Sequence, residues 1–354
     1  MKDISEIDVN LKIDTNIERE GLKLINARTA PFRIYGVYHD GKQYRRLPAD
    51  VAEETSEGVS SLSVKTAGGR VRFVTDSPYV AIKAYLPHST NFTHMPLAGV
   101  AGFDMYVREE KGERTVRSFI PPVDFEDSYE LVHDFVGETR ERVITINFPL
   151  YNPVHELYIG IKEGSVLKAA PDYKYEKPIV YYGSSITQGG CASRPGRSYQ
   201  AIISREFDID HINLGFSGNA KGEEVMAKYI AGLDMFAFVM DYDHNAPTVE
   251  HYRETHEPFF KIIREAHPDI PIVIMTRPRH LNHFVDTDYE RLDIARKTYE
   301  NAISAGDKNL YFIPGYELME LAGDEGCVDL CHPTDLGFAS MARRLSVELR
   351  KFIK

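Results

Sequence analysis

The sequence predicts two domains of different class: a β-sandwich of jelly-roll type over residues 1–172, then a three-layer α/β/α domain on a doubly wound parallel sheet over 173–354. Three observations carry that reading. At 354 residues the chain is longer than one hydrophobic core usually holds. Up to about residue 170 it reads as short strands divided by turn signals, with no helical period between them, as all-β sandwiches do. From Lys177 onward short apolar runs alternate with helical patterns, the rhythm of βα units joined by right-handed crossovers.

In the first half, strands are expected at 34–39, 70–75, 79–86, 103–107, 115–120, 129–134, 143–148 and 156–161. Asp76-Ser77-Pro78, Asp40-Gly41, Gly68-Gly69 and Lys111-Gly112 supply the turns between them. The polar, acidic stretch 48–57 reads as a surface loop. The domain boundary falls at 168–178, where Ala169-Ala170-Pro171-Asp172 and the charged residues 174–177 offer little to bury. In the second half, strands are expected at 179–182, 211–214, 235–240, 270–275 and 310–313, with helices at 198–207, 222–231, 249–266, 289–305 and 334–352. The run Ile179-Val180-Tyr181-Tyr182 reads as a fully buried parallel strand that Gly183 ends abruptly.

Composition narrows the function. A net charge of −11, with no basic cluster carrying interleaved aromatics, argues against nucleic acid or an anionic membrane as the partner. No stretch approaches a membrane span, and the first residues carry acids where a secretory leader needs an apolar run, so a cytoplasmic protein is expected. Cys191, Cys327 and Cys331 are odd in number and lack paired knuckle spacing, which predicts neither a disulfide framework nor a bound metal. Self-association is left open.

Parallel sheets bind ligands at the carboxyl ends of their strands, so the residues there matter most. Four of the five expected strands deliver polar chemistry at that edge. Gly183-Ser184-Ser185 follows the first strand, Gly215-Phe216-Ser217-Gly218-Asn219 the second, Asp241-Tyr242-Asp243-His244-Asn245 the third, and Asp329-Leu330-Cys331-His332-Pro333 precedes the last helix. Ser185, Ser184 and Thr187 could by themselves be no more than helix caps. Taken together the four blocks place a hydroxyl nucleophile, a histidine, an acid and candidate oxyanion donors on one side of one sheet.

These blocks resemble those of the SGNH hydrolase superfamily, the GDSL-type esterases: Gly-Asp-Ser, then a glycine, then an asparagine, then Asp-x-x-His near the carboxyl end. Here Ser184 stands at the family's aspartate, and Asp243-His244-Asn245-Ala246 at its usual Gly-x-Asn-Asp. The resemblance implies a flavodoxin-like sheet, Ser185 as nucleophile, His332 as base and Asp329 as its orienting acid. It also implies an oxyanion hole from the amides of Ser185 and Gly218 and the side chain of Asn245, with no cofactor and no metal. Gly102-Phe103-Asp104-Met105-Tyr106 resembles the Gly-x-Asp-Leu-Tyr signature of a β-domain that precedes one subgroup of these esterases, so the resemblance spans most of the chain. That subgroup implies carbohydrate esterases removing acetyl groups, and hence a small-molecule or oligosaccharide ester as the partner. A general short-chain acyl esterase or thioesterase, and a catalytically silent carbohydrate-binding protein, stay open as alternatives. Asp243, His244 and Arg194 are candidate substrate contacts, the first two alternatively bracing the loop of Asn245 and the last a surface ion pair.

Overall fold

A computed structural model of the chain describes residues 13–88, 92–110 and 112–353. The acidic stretch at 1–6 and Lys111 of the Lys111-Gly112 turn lie outside the described residues. The first half contains β1 (Leu22–Asn26), β2 (Arg33–Tyr35), β3 (Tyr38–His39), β4 (Tyr44–Arg45), β5 (Arg70–Thr75), β6 (Tyr79–Tyr85), β7 (Phe103–Glu109), β8 (Gly112–Phe119), β9 (Ser128–Asp134), β10 (Arg142–Asn147), β11 (Glu156–Lys162) and β12 (Leu167–Ala169). They form two antiparallel sheets, ordered β1-β11-β6-β9 and β12-β5-β10-β7-β8 with β2 added on β5, while β3 and β4 make a separate ribbon. Alternate residues of both sheets (Val71, Phe73, Met105 and Ile144 from one; Val80, Ile82, Leu157 and Ile159 from the other) are buried in one core.

The second half contains β13 (Tyr175–Gly183), β14 (Ile209–Gly215), β15 (Ala237–Asp241), β16 (Ile272–Met275) and β17 (Leu310–Ile313). All pair in parallel in the order β14-β13-β15-β16-β17, the flavodoxin-like order with its switch point at β13. Helices Tyr199–Phe207 and Asp335–Leu349 cover one face, on Tyr181, Val239 and Val273. Helices Glu224–Ala231, Val249–Ala266 and Asp286–Ser304 cover the other, on Val180, Tyr182, Phe238 and Met240. No helix among the described residues is long and apolar enough to cross a membrane.

Two expectations change. The stretch 48–57 is not a loop: it opens helix Ala49–Thr55, after which Ser56 caps helix Glu57–Ser63 by accepting the Val59 amide at 3.1 Å. Its acids point to solvent, while Leu47, Ala52 and Val59 are fully buried against a core that holds Tyr182 and Phe216. With so few apolar positions, the helical period was invisible in the sequence. The strand at 34–39 also divides into β2 and β3, because Gly36 at φ +73° breaks it where a Cβ would lie 2.3 Å from the Gly68 carbonyl oxygen.

The two halves are joined by buried polar groups. Every residue of β5 is buried, because the face of its sheet opposite the sandwich core is covered: Arg70 donates to the Tyr173 hydroxyl and pairs with Asp210. Arg46, buried, donates to the carbonyls of Leu62, Lys65, Asn213 and Gly215 and lies over the Phe216 ring. It thereby fixes the pair of short helices to the carboxyl end of β14.

Candidate active site

β13 ends in Gly183, where an added Cβ would lie 2.1 Å from the Asp241 carbonyl oxygen and 2.2 Å from Thr187 Oγ1, so only glycine lets the chain turn there. Ser184 caps the turn by accepting the Ile186 amide at 3.1 Å. Ser185 opens the helix Ser185–Gln188, in the first turn, where amides have no intrahelical acceptor. Its hydroxyl is half-buried and lies 2.9 Å from His332 Nε2.

His332 Nδ1 is 2.8 Å from Asp329 Oδ2, and the other carboxylate oxygen accepts the amides of His332 at 2.7 Å and Cys331 at 3.1 Å. Leu330 adopts φ +62° inside this turn, a strained conformation for a branched residue, and the turn brings the acid back under its own histidine. Partial burial acts to raise the Asp329 carboxyl, but the amides and ring of His332 and the Cys331 amide outweigh it and hold the group below the usual carboxylate range. The carboxylate therefore takes the Nδ1 proton side, leaving Nε2 to accept from Ser185.

The second loop is built around Gly218, exposed and at φ +70°, with open space where a side chain would project. It is held by Gln188 Oε1, which accepts the Ser217 amide at 3.0 Å, and by the Asn219 amide donating to Phe216 at 2.8 Å. Asn245 comes from the loop after β15, and its side-chain amide donates to the Phe216 carbonyl at 2.9 Å. One N–H of that amide is thus spent on orientation and the other is left over. Asn245 and Gly218 are tied to one loop, and Ser185, His332 and Asp329 form one hydrogen-bonded chain.

These findings can be set beside known proteins. Residues 176–350 match the model of the GDSL-like lipase/acylhydrolase family, and residues 22–167 match the GxDLY N-terminus of SGNH-hydrolase-type esterases. The second half of the chain is a GDSL-like lipase/acylhydrolase domain. As such it is a carboxylic ester hydrolase. A protein from Bacteroides ovatus described as a GDSL-like lipase is 28% identical, with 93% of this chain and 97% of that one covered at a TM-score of 0.84. Two more distant structures share the fold. A salicylyl-acyltransferase from a tetracycline biosynthetic pathway is 19% identical, covering 94% and 98% at a TM-score of 0.76. An acetyl xylan esterase from the rumen bacterium Butyrivibrio proteoclasticus is 12% identical, covering 93% and 98% at a TM-score of 0.61. A search of curated proteins finds no match.

In this family member the Gly-x-Asp-Leu-Tyr-like signature has a structural task. Asp104, fully buried, accepts Asn147 Nδ2 at 2.8 Å, the Gly196 amide at 2.9 Å and Arg194 Nη1 at 2.8 Å, and Arg194 also donates to the Tyr106 hydroxyl. Arg194, expected as a substrate contact or a surface ion pair, is an ion pair to the first half of the chain, and not a surface one, because the buried Asp104 charge needs a cation beside it. The same loop reaches the helix behind His332: Ser193 donates through both its amide and its hydroxyl to Asp335, at 2.9 and 2.6 Å. Asp243, the second candidate contact, is fully buried and takes the Arg277 amide at 3.0 Å, while its own carbonyl accepts Arg291 at 2.6 Å. It braces the Asn245 loop. His244 faces Cys331, Nδ1 to Sγ 3.9 Å, and burial first, then nearby arginines, push its ring toward the neutral form.

Residues that the sequence did not single out complete the surroundings. Tyr151 donates to the Ser185 carbonyl at 3.1 Å and carries Phe92 against its ring at 5.5 Å. A pocket of about 310 Å³ is lined by Gly58, Lys65, Phe92, Tyr151, Ser217 and Asn219 among others, drawn from both halves of the chain. Ser217 and Asn219 belong to the second block, but no local motif marks Gly58, Lys65, Phe92 or Tyr151, which lie far along the chain from Ser185. A larger pocket of about 710 Å³, lined by Glu257, Arg264 and Asn301, lies elsewhere, against helices Val249–Ala266 and Asp286–Ser304, and contains none of the four blocks.

Proposed function

We propose that this esterase removes short acyl groups, acetyl above all, from carbohydrate esters through an acyl-enzyme on Ser185. The observation that carries the reading is the unbroken relay from Ser185 Oγ to His332 at 2.9 Å and from His332 to Asp329 at 2.8 Å. As Oγ bonds to the acyl carbon its proton passes to His332 Nε2, and the imidazolium is steadied by the Asp329 carboxylate. The oxyanion is met by the amides of Ser185 and Gly218 and the free N–H of Asn245. His332 then protonates the departing sugar oxygen, and a water attacks the acyl-enzyme by the same route in reverse.

The pocket drawn from both halves of the chain supports a small, polar substrate. Its volume of about 310 Å³ stands at the lower end of the roughly 300–1,000 Å³ typical of ligand sites. Phe92 and Tyr151 offer ring faces, and Ser61, Lys65, Asn152 and Asn219 offer hydrogen bonds, a mixture that suits a sugar and not a fatty chain. The acetyl xylan esterase of the same fold agrees with this substrate class. We read residues 1–172 as a jelly-roll domain that walls this pocket and 173–354 as the hydrolase domain. The two family models part between 167 and 176, in accord with that division.

The test is a series of nitrophenyl esters from acetyl to octanoyl beside acetate release from acetylated oligosaccharides. Specificity constants should fall with chain length, each added methylene forgoing up to ~0.8 kcal/mol of burial that the pocket does not supply. Ser185→Ala should lose activity by roughly 10⁴-fold or more at an unchanged Tm. A rise with chain length sinks the carbohydrate reading; wild-type turnover by Ser185→Ala sinks the mechanism.

A further inference from the structure

A third histidine stands over the relay. His94, on the loop before the short helix Leu97–Val100, has its ring 5.3 Å from that of His332 and tilted 50° to it. Close to both lies Cys191, 6% exposed, held at φ +72° in the turn that follows the nucleophile helix. One ligating atom from each of His94, Cys191 and His332 lies within 4.8 Å of the other two. Two imidazoles and a thiolate are a donor set for zinc or a similar borderline cation.

We propose that these three side chains form an inhibitory zinc-binding site laid across the catalytic base. The proposal rests on His332 being that base, as argued above. Zinc bound by nitrogen at about 2.0–2.1 Å and by sulfur at about 2.3 Å brings tetrahedral ligand atoms to roughly 3.5 Å from one another, so the three groups need to close by about 1 Å. His94, on a loop, is the one free to move. On binding, the Cys191 thiol gives its proton to water and both imidazoles bind neutral, so the cation–thiolate pair forms with one proton released. His332 already has what a zinc-bound histidine requires: its Nδ1 is fixed by the Asp329 carboxylate at 2.8 Å, leaving Nε2 to the metal. A second set, Asp329, Cys331 and His332, is also close-packed. Its carboxylate is already engaged by the ring and two amides, whereas among the described residues His94 makes only ring contacts.

The consequence is chemical. The Nε2 lone pair that accepts the Ser185 proton is the one the metal takes, so the bound enzyme cannot activate its nucleophile. The fourth coordination position is left to water or to the Ser185 oxygen.

Two measurements on the full chain test this. Initial rates on nitrophenyl acetate, titrated with zinc chloride and reversed with a chelator, should show complete and reversible inhibition. In His94→Ala and Cys191→Ser, each referred to its own metal-free rate, the inhibition constant should rise by more than about 10-fold, the lower bound for losing even a partner behind a metal ligand. Cobalt(II) substitution is read separately: a thiolate-to-cobalt charge-transfer band should appear in wild type, in Ser185→Ala and in Cys331→Ser, and be absent in Cys191→Ser. Should Ser185→Ala turn out fully active, the base assignment fails while the cobalt band still reports the site. Absence of that band, zinc inhibition unchanged in both ligand variants, or activation by zinc each overturns the proposal.

Discussion

A serine hydroxyl is a poor nucleophile until a base and an anion-binding site are in place around it, so single side chains here carry large effects. Asn245 is the clearest case. Its carboxamide spends one N–H on the Phe216 carbonyl at 2.9 Å and so holds the other ready for a charge that develops only in the transition state. Asn245→Ala should lower kcat by roughly 10²- to 10³-fold, about 2.7–4 kcal/mol, with a smaller change in KM. A loss confined to KM would make Asn245 a substrate-binding residue instead. At this scale the chain was informative where chemistry repeats a local pattern: Gly183-Ser184-Ser185 and Asp329-Leu330-Cys331-His332 each turn within a few residues. It was uninformative about Arg194, whose partner Asp104 lies 90 residues earlier.

Elements set how those side chains meet. The helix pair Ala49–Thr55 and Glu57–Ser63 is anchored by Arg46 to the carbonyls of β14, which puts Gly58 against the oxyanion loop. A Cβ on Gly58 would lie 1.9 Å from Asn219 Oδ1 and 2.3 Å from its Cγ. Asn219 can swing away at small cost in stability, but it would carry with it the turn beside Gly218, since its side chain donates to the Ser217 carbonyl at 2.7 Å. Gly58→Ala is therefore expected to reduce kcat/KM by up to about 100-fold while leaving Tm nearly unchanged. Equal activity in the variant and the parent would show that this helix pair does not position the loop. The long helix Val249–Ala266 was legible to the residue, because its apolar period is strong over 18 residues. The shorter pair was not, because its burial depends on a surface that exists only after the domains meet.

Across the whole molecule, burial of histidines links stability to pH. His256 is 1% exposed, packed between Tyr242 and Tyr252, with Nδ1 2.7 Å from the Thr298 hydroxyl, and burial pushes its ring down to about 3. Burial, then Arg70, likewise lowers His211 well below the usual histidine range. Both stay neutral in the folded chain, while in the unfolded chain they take up a proton near pH 6.5. Stability is therefore full above about pH 6.5 and falls as pH drops toward 3, at up to about 1.4 kcal/mol per pH unit for each histidine. Urea unfolding between pH 7 and pH 4.5 should show this slope, and His256→Gln should make it shallower by one proton; an unchanged slope rules His256 out as a source. By itself the sequence determined the two sheet classes, the strands of the parallel sheet and the four blocks at its carboxyl edge, because strand period, glycine turns and the three-residue spacing of Asp329 and His332 are local properties. Only the tertiary structure decided that Tyr151 bonds the Ser185 carbonyl, that His94 lies beside His332 and that Arg194 pairs with Asp104, because packing the two halves of the chain brings together residues that no spacing along the chain relates.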